Sequence, residues 1–432
     1  MQVPEVEGMA RGSKVAAAVV LSLMMVPFVN GGPIPPLEGA AGKVFSMGFA
    51  GPFTGPAAES GTNMKDAALL ALDGIGSTVG PYKIDPTWID EQSDPVKSTQ
   101  AFEEAVTNKH IQMGCLEWHS SDAVAMMDVA AKYQIPFLFA MGATEIVNEK
   151  FKKDPQKYGY WLKGWPVPGN LATPYVDALE QFIASGAYKP AHGKKVALWS
   201  EETDWGHSLA DALNGAFVRH GWQVVGKEFF PINQTDHHAM LTKFKNLGVS
   251  VIAGTATAPQ AMSALLKQRS EVGLDAVVVA DGVGYIGNFY QLTGPASDYV
   301  LDMQPLFAST KAQAFVTKFK TRFGVDPSPT SGGVAYDWAN FCIKVLQRTL
   351  QEYGDLTSAN IYKVERDEVE TGKLTYGDGI MMKEYKFTPQ SVPDPLIGTD
   401  AFIFPVIQYF SGKPVIVFPA AQKMGVFKAP PQ

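Results

Sequence analysis

The chain has 432 residues, of which 46% are hydrophobic and 18% are charged. That is enough apolar material for more than one core, because single cores rarely grow beyond about 250–300 residues. The net charge is −7, and no block of like charge stands out. This balance excludes the basic footprint of a nucleic-acid-binding protein.

The N-terminus carries a predicted targeting signal. Two basic residues precede an apolar run from Val15 to Val29, which is short for a membrane span of about 20 residues and typical of a signal peptide. A membrane anchor is the alternative. We assign residues 1–30 to a signal peptide and the Gly/Pro-rich residues 31–42 to a disordered linker. The exported chain is then periplasmic and begins between Asn30 and Lys43.

From Lys43 onward, apolar runs of strand length alternate with helical patterns. The first series predicts strands at Val44–Phe49, Ile84–Asp90, near Met113 and at Phe137–Phe139, with helices at Asn63–Ile75, Pro95–Thr107 and Ser121–Tyr133. The second series predicts strands at Val196–Trp199, Gln223–Phe229, Val251–Ala253 and Ala276–Ala280, with helices at Leu171–Ser185, His207–His220, His237–Leu247 and Ala258–Glu271. Such alternation indicates parallel sheets with helices on both faces.

An aromatic and proline-rich segment, Lys157–Asn170, separates the two series. We therefore predict an α/β fold of two doubly wound, Rossmann-like lobes with a cleft between them. In open sheets of this kind, ligands bind beyond the carboxyl ends of the strands.

Three predicted strand ends of the first lobe carry small polar residues. One is a Gly/Pro-rich loop that leads into a helix, and the free amides at a helix start suit a carboxylate or a similar group. Each hydroxyl could instead be an ordinary helix cap. The candidate residues are Ser60, His119, Ser120, Ser121, Gly142 and Thr144.

A predicted strand of the second lobe ends at Asp281 and continues into a GxGxxG pattern formed by Gly282, Gly284 and Gly287. This pattern makes a nicotinamide-dependent dehydrogenase the enzymatic alternative. Two features oppose it. Asp281 would place a negative charge beside the pyrophosphate, and Thr293-Gly294-Pro295 interrupts the helix that a dinucleotide site needs.

Other catalytic or metal-binding signatures are weak. Cys115 and His119 could be imagined as a nucleophile and a base, but no third group is placed to orient them. We interpret the neighbouring His237 and His238 as part of a solvated turn and not as a metal site. We expect no catalysis, no cofactor and no metal. Cys115 and Cys342 could pair in an oxidising compartment, but we prefer to interpret them as buried thiols.

The order of several segments resembles a known family. These segments are GPFTGPAAESG, IDEQSDP, HSSDAVAMMDVAAKYQIPFLFAMGATE, LWSEETDWGHSLADAL and VVVADGVG. Together they resemble the branched-chain amino-acid-binding proteins of ABC transporters, which have the type I periplasmic-binding fold. The resemblance runs from about Lys43 to Tyr336 and continues more weakly to the C-terminus.

The resemblance implies three crossovers between the lobes, near Lys163–Pro166, Met303–Phe307 and Leu396–Phe402. It assigns residues 43–163 and 304–398 to the first lobe and residues 164–303 to the second. The C-terminal segment 399–432 then returns to the second lobe.

The resemblance also implies roles at the site. Ser/Thr side chains and backbone of the first lobe would hold a ligand carboxylate, Trp205 would supply an aromatic wall, and Asp281 would accept an ammonium group. The chain departs from the family where Ser60 replaces an aromatic residue and where Thr255 lies in a GTATAP segment that commonly carries a tyrosine. These departures put a leucine-like ligand in doubt.

We therefore expect a monomeric periplasmic receptor that binds a small polar solute, such as an amino acid or a related carboxylate or amide. Its partner would be an ABC permease in the inner membrane. A ligand-sensing regulatory subunit of the same fold is the alternative from another functional class.

Overall fold

The structure, a computed structural model, describes residues 42–287 and 289–431. The predicted signal peptide and all but the last residue of the predicted linker lie outside these ranges. Within them, no helix is both long enough and apolar enough to cross a membrane.

The first lobe is built on a six-stranded sheet. Its strands are β1 (Lys43–Gly51), β2 (Thr78–Val79), β3 (Tyr82–Asp90), β4 (Met113–Leu116), β5 (Phe137–Ala140) and β6 (Trp161–Lys163). They lie in the order β2-β3-β1-β4-β5-β6, and all pairs are parallel except β2 with β3. The associated helices are α1 (Ala58–Gly74), α2 (Pro95–Thr107), α3 (Ser120–Tyr133), α4 (Glu145–Lys153) and α5 (Pro155–Tyr158).

The second lobe contains a seven-stranded sheet. Its strands are β7 (Lys195–Glu201), β8 (Gln223–Phe230), β9 (Val251–Thr255), β10 (Val277–Asp281), β11 (Leu301–Met303), β12 (Val406–Phe410) and β13 (Lys413–Phe418). Their order is β13-β12-β11-β10-β9-β7-β8, with only β12 and β13 antiparallel to their neighbours. The helices here are α6 (Gly169–Ala184), α7 (Asp204–Arg219), α8 (His238–Leu247), α9 (Pro259–Glu271) and α10 (Phe289–Thr293).

Three further helices lie between β11 and β12 in sequence: α11 (Thr310–Phe323), α12 (Ala335–Tyr353) and α13 (Ser358–Val364). Helix α12 packs against α1 and β4, so this segment belongs to the first lobe. The chain therefore passes between the lobes after β6, after β11 and before β12. The predicted fold class is confirmed, while the residue-level lobe boundaries remain our proposal.

Local signals explain why these elements form. The carboxylate of Asp94 accepts hydrogen bonds from the amides of Val96 and Lys97, and Pro95 occupies the first position of α2. This is the N-cap arrangement that its sequence predicts. Strands β9 and β10 are continuous buried runs of small and β-branched residues, as expected for the interior of a parallel sheet.

Cys115 in β4 and Cys342 in α12 form a disulfide, with a Cα–Cα distance of 6.7 Å. Our preference for two buried thiols is therefore wrong. The cysteines are 227 residues apart in sequence, and they meet because the late segment that contains α12 returns to pack on β4. The disulfide also removes Cys115 as a catalytic nucleophile.

Candidate ligand-binding site between the lobes

A cavity lies where the two lobes meet, with about 350 Å³ of empty space when its open mouth is included. Its lining contains no Lys, Arg, Asp or Glu side chain, and it is dominated by aromatic rings. Residues from the first lobe, from the segment after β6 and from the second lobe all contribute. The lining residues are Trp118, His119, Ser120, Met141, Ala143, Trp165, Trp205, Thr257 and Tyr285.

The lobes touch directly around this cavity. The Ser121 hydroxyl accepts a hydrogen bond from the amide of Asp204 at 3.0 Å. The Thr144 and Ser208 hydroxyls are 2.8 Å apart. The rings of Trp118 and Tyr285 meet edge to face, with centroids 5.1 Å apart. These contacts define a closed arrangement of the two lobes.

The first-lobe wall is built at the ends of β4 and β5. At the end of β4 the backbone takes positive φ values at Leu116 (67°) and Glu117 (131°). Such values are rare for residues other than glycine and are concentrated at functional sites. Ser120 then opens α3, and its hydroxyl accepts hydrogen bonds from the amides of Ala143 (3.0 Å) and Thr144 (3.1 Å).

Gly142 directly precedes these two residues, and its own amide donates to a Glu117 carboxylate oxygen at 2.8 Å. A Cβ at this position would lie 2.6 Å from the Cβ of Ala123 and 2.9 Å from the Glu117 carboxylate. The close approach therefore requires glycine. Three consecutive amides that could hold a ligand carboxylate are thus bonded to side chains of the protein itself.

The second-lobe wall is held by a chain of hydrogen bonds behind Trp205. The Trp205 indole N–H donates to the Thr255 hydroxyl at 3.0 Å, and this hydroxyl donates to the backbone oxygen of Asp281 at 2.8 Å. Thr257 is fixed in turn, because its amide and hydroxyl both donate to one carboxylate oxygen of Glu201. The indole plane therefore has a defined orientation toward the cavity.

Asp281 lies behind the wall and does not line the cavity. Its carboxylate accepts hydrogen bonds from the hydroxyls of Tyr285 (2.7 Å) and Tyr175 (3.0 Å). Burial raises the pKa of Asp281, and the neighbouring Asp302 carboxylate raises it further. In this arrangement Asp281 positions Tyr285, and both of its oxygens already have partners.

His119 occupies the N-cap position of α3, and its side chain faces the buried carboxyl groups of Glu91 and Asp122. Its Nδ1 is 3.5 Å from an oxygen of Asp122 and 3.8 Å from one of Glu91, whereas its Nε2 is 3.4 Å from the Thr257 hydroxyl in the other lobe. Burial lowers the pKa of His119, but the two carboxylates outweigh that effect and raise it to about 10.

All nine predicted site residues lie at or next to this cavity. His119, Ser120 and Trp205 line it. Ser121 and Thr144 join the lobes, as does Ser60, whose hydroxyl donates to the backbone oxygen of Tyr285 at 3.4 Å. Gly142, Thr255 and Asp281 support the wall. A direct ligand contact by any of them stays a prediction.

Six lining residues were missed by the sequence reasoning, which concentrated on hydroxyl groups at strand ends. Each lies in or beside a segment already identified: Trp118 precedes His119, Met141 and Ala143 flank Gly142, Trp165 lies in the aromatic segment, Thr257 lies in GTATAP and Tyr285 lies in the glycine pattern. The large aromatic residues beside the polar strand ends were the available signal.

The profile of the periplasmic binding protein family matches residues 45–382, and the chain belongs to this family. A curated relative is the leucine-, isoleucine-, valine-, threonine- and alanine-binding protein of Pseudomonas aeruginosa. The two are 24% identical over 357 residues, which cover 81% of this chain and 90% of the relative. The resemblance inferred from the sequence is therefore confirmed.

Solved structures show the same fold. An ABC-transporter solute-binding protein from R. palustris, in complex with benzoate, superposes with a TM-score of 0.70 at 16% identity, covering 89% of this chain and 98% of the other. A leucine-binding protein from Thermotoga maritima gives a TM-score of 0.67 at 16% identity, covering 86% and 97%.

The dehydrogenase alternative is not supported. The glycine pattern after β10 leads into a short 3₁₀ turn, Val283–Tyr285, and then into the five-residue α10. A dinucleotide site needs a helix whose N-terminus faces the pyrophosphate. Here the amides of Gly282 and Gly284 donate to the Asp302 carboxylate instead.

Proposed function

We propose that the protein is the periplasmic receptor of an ABC importer, binds one small solute in the cavity between its lobes and delivers it to a membrane permease. The observation that carries this proposal is the cavity itself, which is enclosed by side chains of both lobes. A solute bound there contacts both lobes and favours the closed state through those contacts. The protein acts as a monomer and catalyses no reaction on its solute.

The lining points to a compact solute with an aromatic body. Trp118, Trp165, Trp205 and Tyr285 line the cavity, and aromatic rings favour stacked or edge-to-face contacts with another ring. The buried indole N–H of Trp118 has no hydrogen-bond partner among the described residues.

An aliphatic amino acid fits this cavity less well. Its carboxylate would compete with Ser120 and Glu117 for the strand-end amides. Its ammonium group would find both oxygens of Asp281 bonded to tyrosine hydroxyls. Several solute-binding proteins of similar fold have been solved in complex with benzoate, 4-hydroxybenzoate or 3,4-dihydroxybenzoic acid. We therefore propose an aromatic acid as the solute class.

A thermal-shift panel tests this proposal. We expect benzoate or one of its hydroxylated forms to raise the melting temperature, because a ligand at 100 times its Kd adds about 2.7 kcal/mol to the free energy of unfolding. For a protein of this size the shift is about 3 °C. Leucine and isoleucine at the same concentrations should give no shift. A shift with the aliphatic amino acids alone would contradict the proposed solute class.

A further inference from the structure

A group of buried ionisable side chains lies directly behind the first-lobe wall. Glu91 follows β3, His119 precedes α3 and Asp122 lies in its first turn. Their exposed fractions are 0%, 6% and 1%. One donor atom from each residue lies within 4.8 Å of the other two. The three side chains therefore face one another in the interior of the protein.

These possible ligand atoms, one imidazole nitrogen and the carboxylate oxygens, are not joined to one another by hydrogen bonds. The distances from His119 Nδ1 to Asp122 and Glu91, 3.5 and 3.8 Å, exceed the usual 2.7–3.2 Å for N–H···O. Among the described residues, no other partner exists for His119 Nδ1, for Glu91 Oε2 or for either carboxylate oxygen of Asp122. Buried polar atoms in native proteins almost always have a partner, and an ion held between the three side chains would supply one.

The remaining atoms of the group are held in place. Glu91 Oε1 accepts a hydrogen bond from the amide of Trp118 at 3.3 Å. His119 Nε2 faces the Thr257 hydroxyl. Glu91 and His119 are thus each held on one side, and both oxygens of Asp122 have no hydrogen-bond partner among the described residues, which suits a set of metal ligands.

The excess of acidic side chains around these three residues also favours a bound metal ion. A third acid, Glu117, is also fully buried, and its Oε1 has no partner among the described residues. The neighbouring cation, Lys163, is paired with Asp394 at 2.8 Å. Together with Glu117, the group therefore brings three carboxyl groups close to one imidazole. Buried charges are found paired or coordinated to metals, because an isolated charge in the interior is costly.

We infer that Glu91, His119 and Asp122 bind a divalent first-row transition metal ion such as Zn²⁺ or Mn²⁺. Zinc bonds to nitrogen and oxygen of about 2.0–2.2 Å place tetrahedral ligand atoms about 3.4 Å apart. The 3.5 and 3.8 Å separations reach that value with shifts of a few tenths of an ångström. A mixed imidazole and carboxylate set suits these ions better than Ca²⁺ or Mg²⁺, which prefer oxygen alone.

Such an ion would organise the cavity wall. Coordination through Nδ1 leaves the proton of His119 on Nε2, and the partner at one ring nitrogen decides the role of the other. Nε2 then acts as a hydrogen-bond donor toward Thr257 and toward the space between the lobes. The metal site lies behind the cavity and does not depend on which solute the cavity binds.

The primary test is metal uptake by the untagged wild-type protein, stripped with EDTA, dialysed and free of added solute. Calorimetry with Zn²⁺ and with Mn²⁺ should show one ion bound per chain, with a rise in melting temperature. The Co²⁺-loaded protein should show visible absorption bands. A folded wild-type protein that takes up none of these ions would overturn the inference, whatever the outcome of the solute panel.

Variants locate the site. Asp122→Asn and Glu91→Gln keep the side-chain size and remove a ligand charge, and each should weaken Zn²⁺ binding about 100-fold or more, since even groups beyond the ligands contribute 10–100-fold. The matched control is His238→Ala, because exposed His238 also contacts two acids, Asp236 and Glu271, at 2.9 Å. Unchanged affinity in Asp122→Asn, or loss in His238→Ala, would refute the site.

Discussion

Replacing Trp205 with alanine is expected to weaken binding of the aromatic acid that gives the largest thermal shift by about 30-fold or more. Trp205 is the tryptophan that the second lobe contributes to the cavity lining, and truncating a buried aromatic anchor commonly costs 2 kcal/mol or more. At about 1.4 kcal/mol per tenfold, this is roughly 30-fold in Kd. Calorimetry on the wild type and the variant measures the change.

The control for this substitution is Trp88→Ala. Trp88 lies in β3 and packs against Phe49 and Phe53, away from the cavity lining. This variant shows whether losing a tryptophan outside the cavity lowers solute affinity simply by destabilising the fold. Wild-type affinity in Trp205→Ala, or equal losses in both variants, would show that the solute is not held by the second-lobe wall.

Thermal stability is expected to depend strongly on the disulfide between Cys115 and Cys342. It closes a loop of 227 residues. Removing a native disulfide typically lowers the free energy of unfolding by about 2–5 kcal/mol, chiefly because the unfolded chain gains conformational entropy. We therefore expect the Cys115→Ala/Cys342→Ala variant to melt about 2–6 °C below the oxidised wild type. Scanning calorimetry at one protein concentration measures the difference.

Wild-type protein refolded in a reductant separates the lost cross-link from the lost side-chain volume. Both sulfur atoms lie in the core, so alanine also leaves a small cavity. The reduced wild type should melt close to the double variant and well below the oxidised protein. If the oxidised and reduced forms melt together, the cross-link does not stabilise this fold.

Local signals made much of the fold predictable. Helix α2 has the predicted bounds, because Asp94, Pro95 and the apolar spacing all lie within the segment itself. Helix α1 instead begins at Ala58, five residues before the predicted start at Asn63. Its first turn contains Glu59, Ser60 and Gly61 and has no apolar periodicity. The rule that ligands bind at the carboxyl ends of parallel strands pointed to seven of the nine candidates, and the family resemblance supplied Trp205 and Thr255.

Long-range contacts were not predictable from these patterns. The disulfide depends on the return of α12 to the first lobe, more than 200 residues after β4. The hydrogen bond from the Gly142 amide to the Glu117 carboxylate forms only because the ends of β4 and β5 lie side by side. Glu91 was not a candidate at all, because it stands 28 residues before His119 and only the parallel pairing of β3, β1 and β4 brings their ends together.

Closure of the lobes around a solute is most directly tested by small-angle X-ray scattering of the exported protein with and without the aromatic acid selected by the thermal-shift panel. The cavity is lined from both sides, so a bound solute should shift the population toward the closed arrangement. The radius of gyration is expected to fall at saturation and to stay unchanged with leucine at the same concentration. Identical scattering curves with and without an acid that calorimetry shows to be bound would contradict binding between the lobes.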